Sequence, residues 1–156
     1  ILIDCGVVDR HYCSDMTRNF AFGGVSEAYK NSYAVLLQNQ SEALQKVAAG
    51  VEVKALDQQC RENLGNLADL FVHSLGHGVG LEIHEAPTLS SRSEDVLQVG
   101  EVVTVEPGIY KAGEYGIRIE DSVIVQECGN EVLTKTTKEL LSFDEAGNVQ
   151  VLVEAA

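Results

Sequence analysis

The hydrophobic pattern of the first half of the chain predicts two amphipathic helices. Between Ser26 and Gly50, apolar and aromatic side chains recur at intervals of three and four residues, as they do on one face of an α-helix. Ser26 is the candidate N-cap of this helix and Gly50 is the candidate stop. A shorter helix is predicted over Val53–Leu64, where Leu56 and Cys60 continue a four-residue spacing.

The opening segment predicts a β-hairpin. Residues 1–22 are apolar or β-branched on both sides of a polar break at 8–11. The centre of this break lies at Asp9 and Arg10, so we expect the chain to turn around these two residues.

The second half of the chain is predicted to consist mainly of strands and loops. Glycines separate short apolar runs there, at 102–105, 117–119 and 123–125. Residues 137–141 are predicted to form a closing turn of helix. The pattern of residues 144–156 fits either one more strand or a tail.

Composition and charge narrow the class of protein. The 156 residues are 45% hydrophobic and 22% charged, which fits a packed globular domain and excludes a disordered or fibrous chain. A net charge of −13 without a basic run argues against a nucleic-acid partner. No apolar run approaches the ~20 residues of a membrane-spanning helix. The four cysteines have no CxxC spacing, which predicts reduced, mostly buried thiols and a cytoplasmic location.

Two aspartates of the opening hairpin are candidates for a shared cation. With a turn around Asp9 and Arg10, Asp4 lies directly opposite Asp15, and the two carboxylates repel each other unless a proton, an arginine or a divalent ion separates them. For this pair alone, two exposed aspartates near a turn are the favoured interpretation.

A second acidic pair makes a shared cation more favourable than two exposed aspartates. Glu106 and Glu120 are equally distant from Gly113, so a hairpin centred on this glycine sets the two glutamates opposite each other. Both glutamates end nearly uncharged stretches, and an acid in that position is typically near-buried and needs a partner. Two such pairs in one short chain favour a metal site.

Three of the four histidines lie in one short segment, at His73, His77 and His84, around the Gly-x-Gly-x-Gly run at 76–80. An HExxH zinc site is excluded because Thr88 occupies the position of its second histidine. The glycine run lacks the third spacing of a dinucleotide fingerprint and has no GK[ST], which argues against a phosphate loop. Carboxylates with one imidazole suit Mn(II), Fe(II), Co(II) or Zn(II), and four carboxylates carry enough charge for two divalent ions of a hydrolase.

These segments resemble the motifs of one family, the prolidase and aminopeptidase P branch of the pita-bread, methionine-aminopeptidase-like metallopeptidases. The resemblance covers nearly all of residues 1–143. The segments that carry it are 4–6 with 13–18, 76–85, 105–110 and 116–121. The residues at 80–84 and 117–121 fit the proline-specific branch better than the methionine aminopeptidases.

The resemblance implies an α+β pita-bread fold, with a curved antiparallel sheet, helices on one side and a truncated N-terminal end. It also implies a metal-dependent Xaa-Pro peptidase with two divalent ions, Mn(II) ahead of Co(II), Zn(II) and Fe(II). The implied metal ligands are Asp4, Asp15, His77, Glu106 and Glu120, of which Asp15 and Glu120 bridge the two ions.

Four residues have implied catalytic roles. His73 and His84 would contact the substrate or shuttle protons, with His84 donating to the developing oxyanion. Glu106 would accept the proton of the attacking nucleophile, and Arg118 would support the site from behind. Ile109 and Tyr110 are expected to be core residues and not part of the pocket.

The start of the chain predicts that it is a piece of a longer polypeptide, because it opens inside an apolar run and its only methionine is Met16. We expect residues 1–156 to be the C-terminal part of a single catalytic domain, with 143–156 as a candidate tail. The expected partners are an Xaa-Pro peptide and either the absent first half, which in the family carries a further substrate-binding histidine, or a homodimer mate. Two alternatives stay open, a catalytically silent fragment that binds metal or a partner chain, and a methionine aminopeptidase-type activity.

Overall fold

The structure is a computed structural model that describes residues 1–155. Within these described residues, thirteen strands, two α-helices and a 3₁₀ helix follow one another in chain order. They are β1 (Leu2–Cys5), β2 (Val8–Asp9), β3 (Tyr12–Cys13), β4 (Met16–Phe22), α1 (Glu27–Lys46), α2 (Val53–Leu64), the 3₁₀ helix (Gly65–Leu70), β5 (Gly76–Gly78), β6 (Glu85–Leu89), β7 (Val102–Val105), β8 (Gly108–Lys111), β9 (Tyr115–Arg118), β10 (Asp121–Val125), β11 (Asn130–Val132), β12 (Leu140–Phe143) and β13 (Val149–Val153). Within residues 1–155, neither α1 nor α2 combines the length and the hydropathy that a membrane-spanning helix requires.

Two larger sheets and two short hairpins make up the β structure of residues 1–155. One sheet has the strand order β1-β4-β12-β13, in which β12 runs parallel to β4. The other has the order β11-β10-β7-β5-β6 and is antiparallel. The hairpins β2–β3 and β8–β9 extend from these sheets. The predicted mixture of helices and antiparallel strands is confirmed.

Both predicted helices form. Ser26 caps α1, because its hydroxyl accepts a hydrogen bond from the Tyr29 N–H at 3.2 Å. The predicted end at Gly50 is wrong, since α1 ends at Lys46. The reason is a contact from far along the chain. The Asn130 amide donates to the carbonyls of Leu44 and Val47, at 2.6 and 3.0 Å, and so satisfies the last turn early.

The core lies between the two helices and the antiparallel sheet. One face of α1 and one face of α2 are buried in it, which explains the helical spacing of their apolar residues. Its largest fully buried apolar side chains are Tyr33, Leu36, Leu64, Leu75, Leu89, Leu97, Ile109, Ile117, Ile119 and Leu140. The strands that carry the chemically interesting side chains are therefore held by a continuous apolar cluster.

The structure corrects two other predictions, the helical turn at 137–141 and the burial of most cysteines. The predicted helical turn at 137–141 is wrong, because Leu140–Phe143 is strand β12, whose backbone pairs with β4 and β13. Residues 149–153 form a strand, which decides the open choice at that end. All four cysteines are free as predicted, but only Cys60 is buried. Cys5 is exposed on the edge strand β1, and Cys128 is exposed near a turn.

Candidate metal centre

The opening hairpin presents both aspartates on one face, in a register that differs from the predicted one. Asp4 pairs with Thr17 and not with Asp15, because the turn is formed by Arg10 and His11. These two residues have positive φ angles of 48° and 74°, as the centre of a two-residue hairpin loop requires. Side chains alternate between faces with a period of two, so this two-residue shift keeps both acids on the same side of the ladder.

The second hairpin has the predicted register. Gly108 pairs with Arg118 and Val105 pairs with Asp121, so Glu106 and Glu120 lie at matching positions between these pairs. The regular ladder is interrupted at this point, between β7 and β8 on one side and between β9 and β10 on the other. The carboxylates of both glutamates are thereby carried at strand junctions that face the opening hairpin.

A backbone bridge joins the two hairpins. Thr17 and Glu120 form an isolated antiparallel bridge. The Thr17 Oγ1 hydroxyl donates to Oε2 of Glu120 at 2.5 Å, and it accepts from Nε of Arg118 at 2.9 Å. Asp15 lies just before β4, two positions ahead of Thr17, and this junction brings it next to Glu120.

His77 enters the same site from the antiparallel sheet. It lies in β5 between two glycines, and both are required by close backbone contacts. A Cβ atom on Gly76 would lie 2.0 Å from the Thr104 carbonyl oxygen, and one on Gly78 would lie 2.2 Å from the Ala86 carbonyl oxygen. The glycine run therefore allows neighbouring strands to pack tightly around the histidine.

Asp15, His77 and Glu120 form the centre of the candidate site. All three are buried, and one ligand atom of each lies within 4.8 Å of the others. His77 Nε2 is 3.2 Å from Oε1 of Glu106 and 3.7 Å from Oδ2 of Asp15. Glu106 thus belongs to the same group, and its Oε1 also accepts from the Thr104 hydroxyl at 3.0 Å.

The chemistry of this donor set fits a divalent cation. The Nδ1 atom of His77 lies 3.0 Å from the Gly78 carbonyl oxygen, so in the neutral ring it carries the proton and leaves the Nε2 lone pair facing two carboxylates. Oε1 of Glu120 is buried and has no hydrogen-bond partner among the residues that the structure describes. A lone pair directed at carboxylates and an unpartnered carboxylate oxygen are both unfavourable unless a cation lies among them.

The pKa values reflect the same crowding. Burial, followed by the nearby charge of Glu106, raises the pKa of Glu120 to about 8. Burial and the charge of Asp4 raise the pKa of Asp15. Burial alone would lower the pKa of His77, but hydrogen bonds to Glu106 and Gly78 outweigh it and raise this pKa. Burial is the largest cause for Asp15 and Glu120, and neighbouring carboxylates add to the raised pKa of all three residues, a negative charge that a metal ion would compensate.

The remaining candidate residues surround this centre at greater distance. Asp4 is exposed, and its Oδ2 accepts a hydrogen bond from Nη2 of Arg118. Arg118 Nε is also 3.8 Å from Oε2 of Glu106. The ring of the exposed His84 packs on that of His77, with centroids 4.3 Å apart. The structure therefore brings all of these side chains to one place, with Asp4 tied to the guanidinium of Arg118.

His73 is linked to the site through a residue whose role the sequence analysis missed. Its Nε2 is hydrogen-bonded to the Tyr110 hydroxyl at 3.0 Å, and Arg118 Nη1 donates to the same hydroxyl at 3.0 Å. Ile109 is a core residue as expected, but Tyr110 is not, since its hydroxyl joins these two side chains. The predicted hairpin register contains a signal for the contact with Arg118, because it places Tyr110 diagonally across from Arg118 on one face.

The contacts of Thr17 and Arg18 with the second glutamate segment were not predicted. Their position directly after Asp15 is visible in the sequence, and Thr17 has the same face as Asp15 by strand alternation. Their partners Glu120 and Asp121 lie more than 100 positions away, so no local pattern connects them.

Comparisons with known proteins show which family this chain resembles. The family model of metallopeptidase family M24 matches residues 1–127. A Xaa-Pro dipeptidase of Pyrococcus furiosus is 45% identical over 143 residues, which are 90% of this chain and 41% of the relative. The chain therefore spans about two fifths of the length of this relative.

Solved structures also match most of this chain and about two fifths of their own length. The X-Pro aminopeptidase from Thermotoga maritima matches with a TM-score of 0.88 at 41% identity, over 90% of this chain and 40% of that one. The Xaa-Pro dipeptidase from Bacillus anthracis matches with a TM-score of 0.89 at 44% identity, over 91% of this chain and 41% of that one. These likenesses confirm the α+β pita-bread fold that the sequence motifs implied.

Proposed function

This chain belongs to metallopeptidase family M24, and we propose that it hydrolyses a peptide bond with proline on its C-terminal side, as a Xaa-Pro dipeptidase or aminopeptidase. The observation that carries this proposal is the meeting of Asp15, His77 and Glu120, with an unpartnered carboxylate oxygen among them. The relatives described above, named as Xaa-Pro dipeptidases and an X-Pro aminopeptidase, support the choice of substrate.

We assign two divalent ions to this site, Mn(II) ahead of Co(II), Zn(II) and Fe(II), since carboxylate oxygens with one imidazole suit these metals. The residues that would hold them are Asp4, Asp15, His77, Glu106 and Glu120. When bound, such ions lower the pKa of water and polarise a carbonyl group. Asp4 would have to exchange its hydrogen bond with Arg118 for this role.

Glu106 is the residue that would accept the proton of the attacking nucleophile. The Thr104 hydroxyl donates to its Oε1 atom at 3.0 Å and leaves Oε2 as the freer oxygen for proton transfer. A prolyl nitrogen carries no N–H and must gain a proton when it leaves. Glu106 can return to it the proton taken from the nucleophile.

Of the two candidate histidines outside the central group, His84 would act on the substrate and His73 would position Tyr110. His84 is exposed beside His77 and would donate to the developing oxyanion of the scissile carbonyl. Burial lowers the pKa of His73, which keeps its ring neutral near pH 7. Its Nδ1 is hydrogen-bonded to the Ser74 carbonyl, so Nε2 accepts from the Tyr110 hydroxyl and fixes that side chain at the rim of the site.

Hydrolysis of a Xaa-Pro dipeptide in the presence of Mn(II) tests this function. We expect the purified protein to cleave Ala-Pro in preference to Ala-Ala and to lose activity after removal of the metal with a chelator. Glu106→Ala should abolish turnover, whereas Glu94→Ala, which removes an exposed acid outside the site, should not. Tightly bound Mn(II) without turnover would contradict the proposal and support the silent metal-binding alternative.

The finer assignments stay predictions. They are a cytoplasmic location, a homodimer mate, and the assignment of residues 1–156 to a single catalytic domain, since no observation described above tests them.

A further inference from the structure

A buried cluster of charged and amide side chains lies directly behind the carboxylate site. Its four members come from β4, α1, β10 and the segment before β12, and we call them the Arg18 cluster. They are Arg18, Gln40, Asp121 and Lys138. The first three are at most 3% exposed, so three different elements direct polar groups into the interior at one point. Buried ion pairs are weak contributors to stability compared with apolar residues of the same volume. Stability alone therefore does not explain this cluster.

Arg18 uses all five of its N–H donors within the protein. Nη1 donates to the backbone carbonyl of Glu120 at 2.6 Å and to that of Thr17 at 2.9 Å. Nη2 donates to Asp121 at 2.6 Å, and the other donors bind the carbonyls of Thr136 and Thr137. The guanidinium thus binds both strands at the bridge where Thr17 meets Glu120.

Asp121 holds and neutralises this guanidinium. One of its oxygens accepts from Arg18, and the other accepts from Gln40 at 2.9 Å and from Lys138 at 3.0 Å. The cluster contains two cations and a single anion, so its net charge is positive even with Asp121 ionised. Loss of that anion would leave two positive charges directly behind Glu120.

We propose that Arg18 and Asp121 are positioning residues for the metal site. This inference rests on the proposed function. By binding the carbonyls of Thr17 and Glu120 together, Arg18 fixes the separation of the two hairpins, and with it the position of the Glu120 carboxylate relative to Asp15. Asp121 orients the guanidinium and balances its charge, so that Arg18 does not compete with a cation for the acidic side chains.

Cobalt binding to Asp121→Asn tests this role without relying on activity. The substitution keeps the shape of the side chain and removes its charge. We expect Co(II) affinity, measured by calorimetry, to fall about 10- to 100-fold, the range for partners of metal ligands. We also expect the visible absorption of bound Co(II) to change, because the geometry of Glu120 changes. Lys138→Met removes a positive charge from the same carboxylate and should leave the affinity unchanged or raise it.

Two neighbouring buried amides on α1 provide a matched comparison. Gln40→Met removes the amide that donates to Asp121, whereas Asn39→Leu removes one that donates to the Cys60 carbonyl at 2.9 Å on α2. Both variants should lower the melting temperature, but only Gln40→Met should weaken Co(II) binding, by a few-fold. If Asp121→Asn does not fold, this pair of variants tests the positioning role in its place.

The outcomes separate the two proposals. Wild-type protein that binds Co(II), with unchanged affinity in Asp121→Asn and Gln40→Met, overturns the positioning role and leaves the proposed function intact. Equal weakening by Gln40→Met and Asn39→Leu also overturns it, since the effect would then be general destabilisation. A wild-type protein that binds no Co(II) overturns both.

Discussion

The Thr17 hydroxyl donates a hydrogen bond to Oε2 of Glu120, although the two residues are 103 positions apart in the sequence. Arg118 can only donate, so its contact with Thr17 Oγ1 commits that oxygen as an acceptor and directs the hydroxyl proton at Glu120. One oxygen of Glu120 is therefore held by the protein, and Oε1 is left for another partner.

Replacement of Thr17 tests the importance of this contact. Thr17→Val keeps the shape and removes the hydroxyl, which leaves Oε2 of Glu120 and Nε of Arg118 without their common partner. We expect Mn(II) affinity, measured by calorimetry, to fall about tenfold or more, as for other partners of metal ligands. Thr17→Ser retains the hydroxyl and should bind Mn(II) within a few-fold of wild type. Equal affinities for the Val and Ser variants would show that the hydroxyl does not orient Glu120.

The stability of the chelator-treated protein should fall as the pH rises from about 5 to 8. Glu120 ionises near pH 4.5 in the unfolded chain but with a pKa of about 8 in the folded protein. Within this window the folded state binds more protons, so the free energy of unfolding decreases with pH. The raised pKa values of Asp15 and His77 act in the same direction, since their protonated forms are also favoured in the folded state.

Urea unfolding at pH 5 and pH 8 in the presence of a chelator measures this dependence. Glu120→Gln cannot ionise and should reduce the difference between the two pH values. Mn(II) should restore stability at pH 8 in the wild-type protein, because binding to the folded state adds to its stability. A stability that rises with pH over this window would contradict the described charge distribution.

Gly78→Ala should destabilise the protein strongly. The new Cβ would lie 2.2 Å from the Ala86 carbonyl oxygen, so β5 and β6 would have to separate. We expect a loss of about 1–3 kcal/mol or more, the range for overpacking a close contact. Gly24→Ala is the control, since no atom lies within 4 Å of its Cβ position. It should change stability by no more than about 0.5 kcal/mol in the same urea experiment.

Tyr110→Phe should separate substrate turnover from metal binding. The change removes the hydroxyl between His73 and Arg118, and we expect kcat/KM for a Xaa-Pro dipeptide to fall about tenfold with unchanged Mn(II) affinity. Tyr115→Phe is the matched control in the same hairpin, where the hydroxyl contacts only Ser32. If both variants lose activity equally, the effect belongs to the hairpin as a whole and not to the Tyr110 hydroxyl.

The two hairpins show what the sequence could and could not predict. Gly113, with a φ angle of 76°, marks the loop of the second hairpin, and a register centred on it is the observed one. The opening hairpin turns at Arg10 and His11, neither of which is a residue that usually marks positive φ angles. The turn was therefore predicted around Asp9 and Arg10 instead of Arg10 and His11, although Asp4 and Asp15 still share a face.

Contacts between distant segments account for the other differences. Asn130 ends α1 before Gly50, and parallel pairing with β4 makes residues 140–143 a strand instead of a helical turn. Neither contact has a local signal in the sequence. The four candidate acids were singled out because they end apolar stretches or face each other in predicted hairpins, and His77 was chosen through the family resemblance. The Thr17 hydroxyl, in contrast, acts on a glutamate 103 positions away, a contact that only the packed structure reveals.

Anomalous scattering from crystals grown with Mn(II) tests the central claim most directly. The account predicts anomalous peaks at the manganese edge among Asp15, His77 and Glu120, with Glu106 and Asp4 as further ligands. Their disappearance in Glu120→Gln crystals would show that the carboxylate is required. Crystals in Mn(II) with no peak at these side chains, or with peaks only at surface acids such as Glu94, would contradict the account.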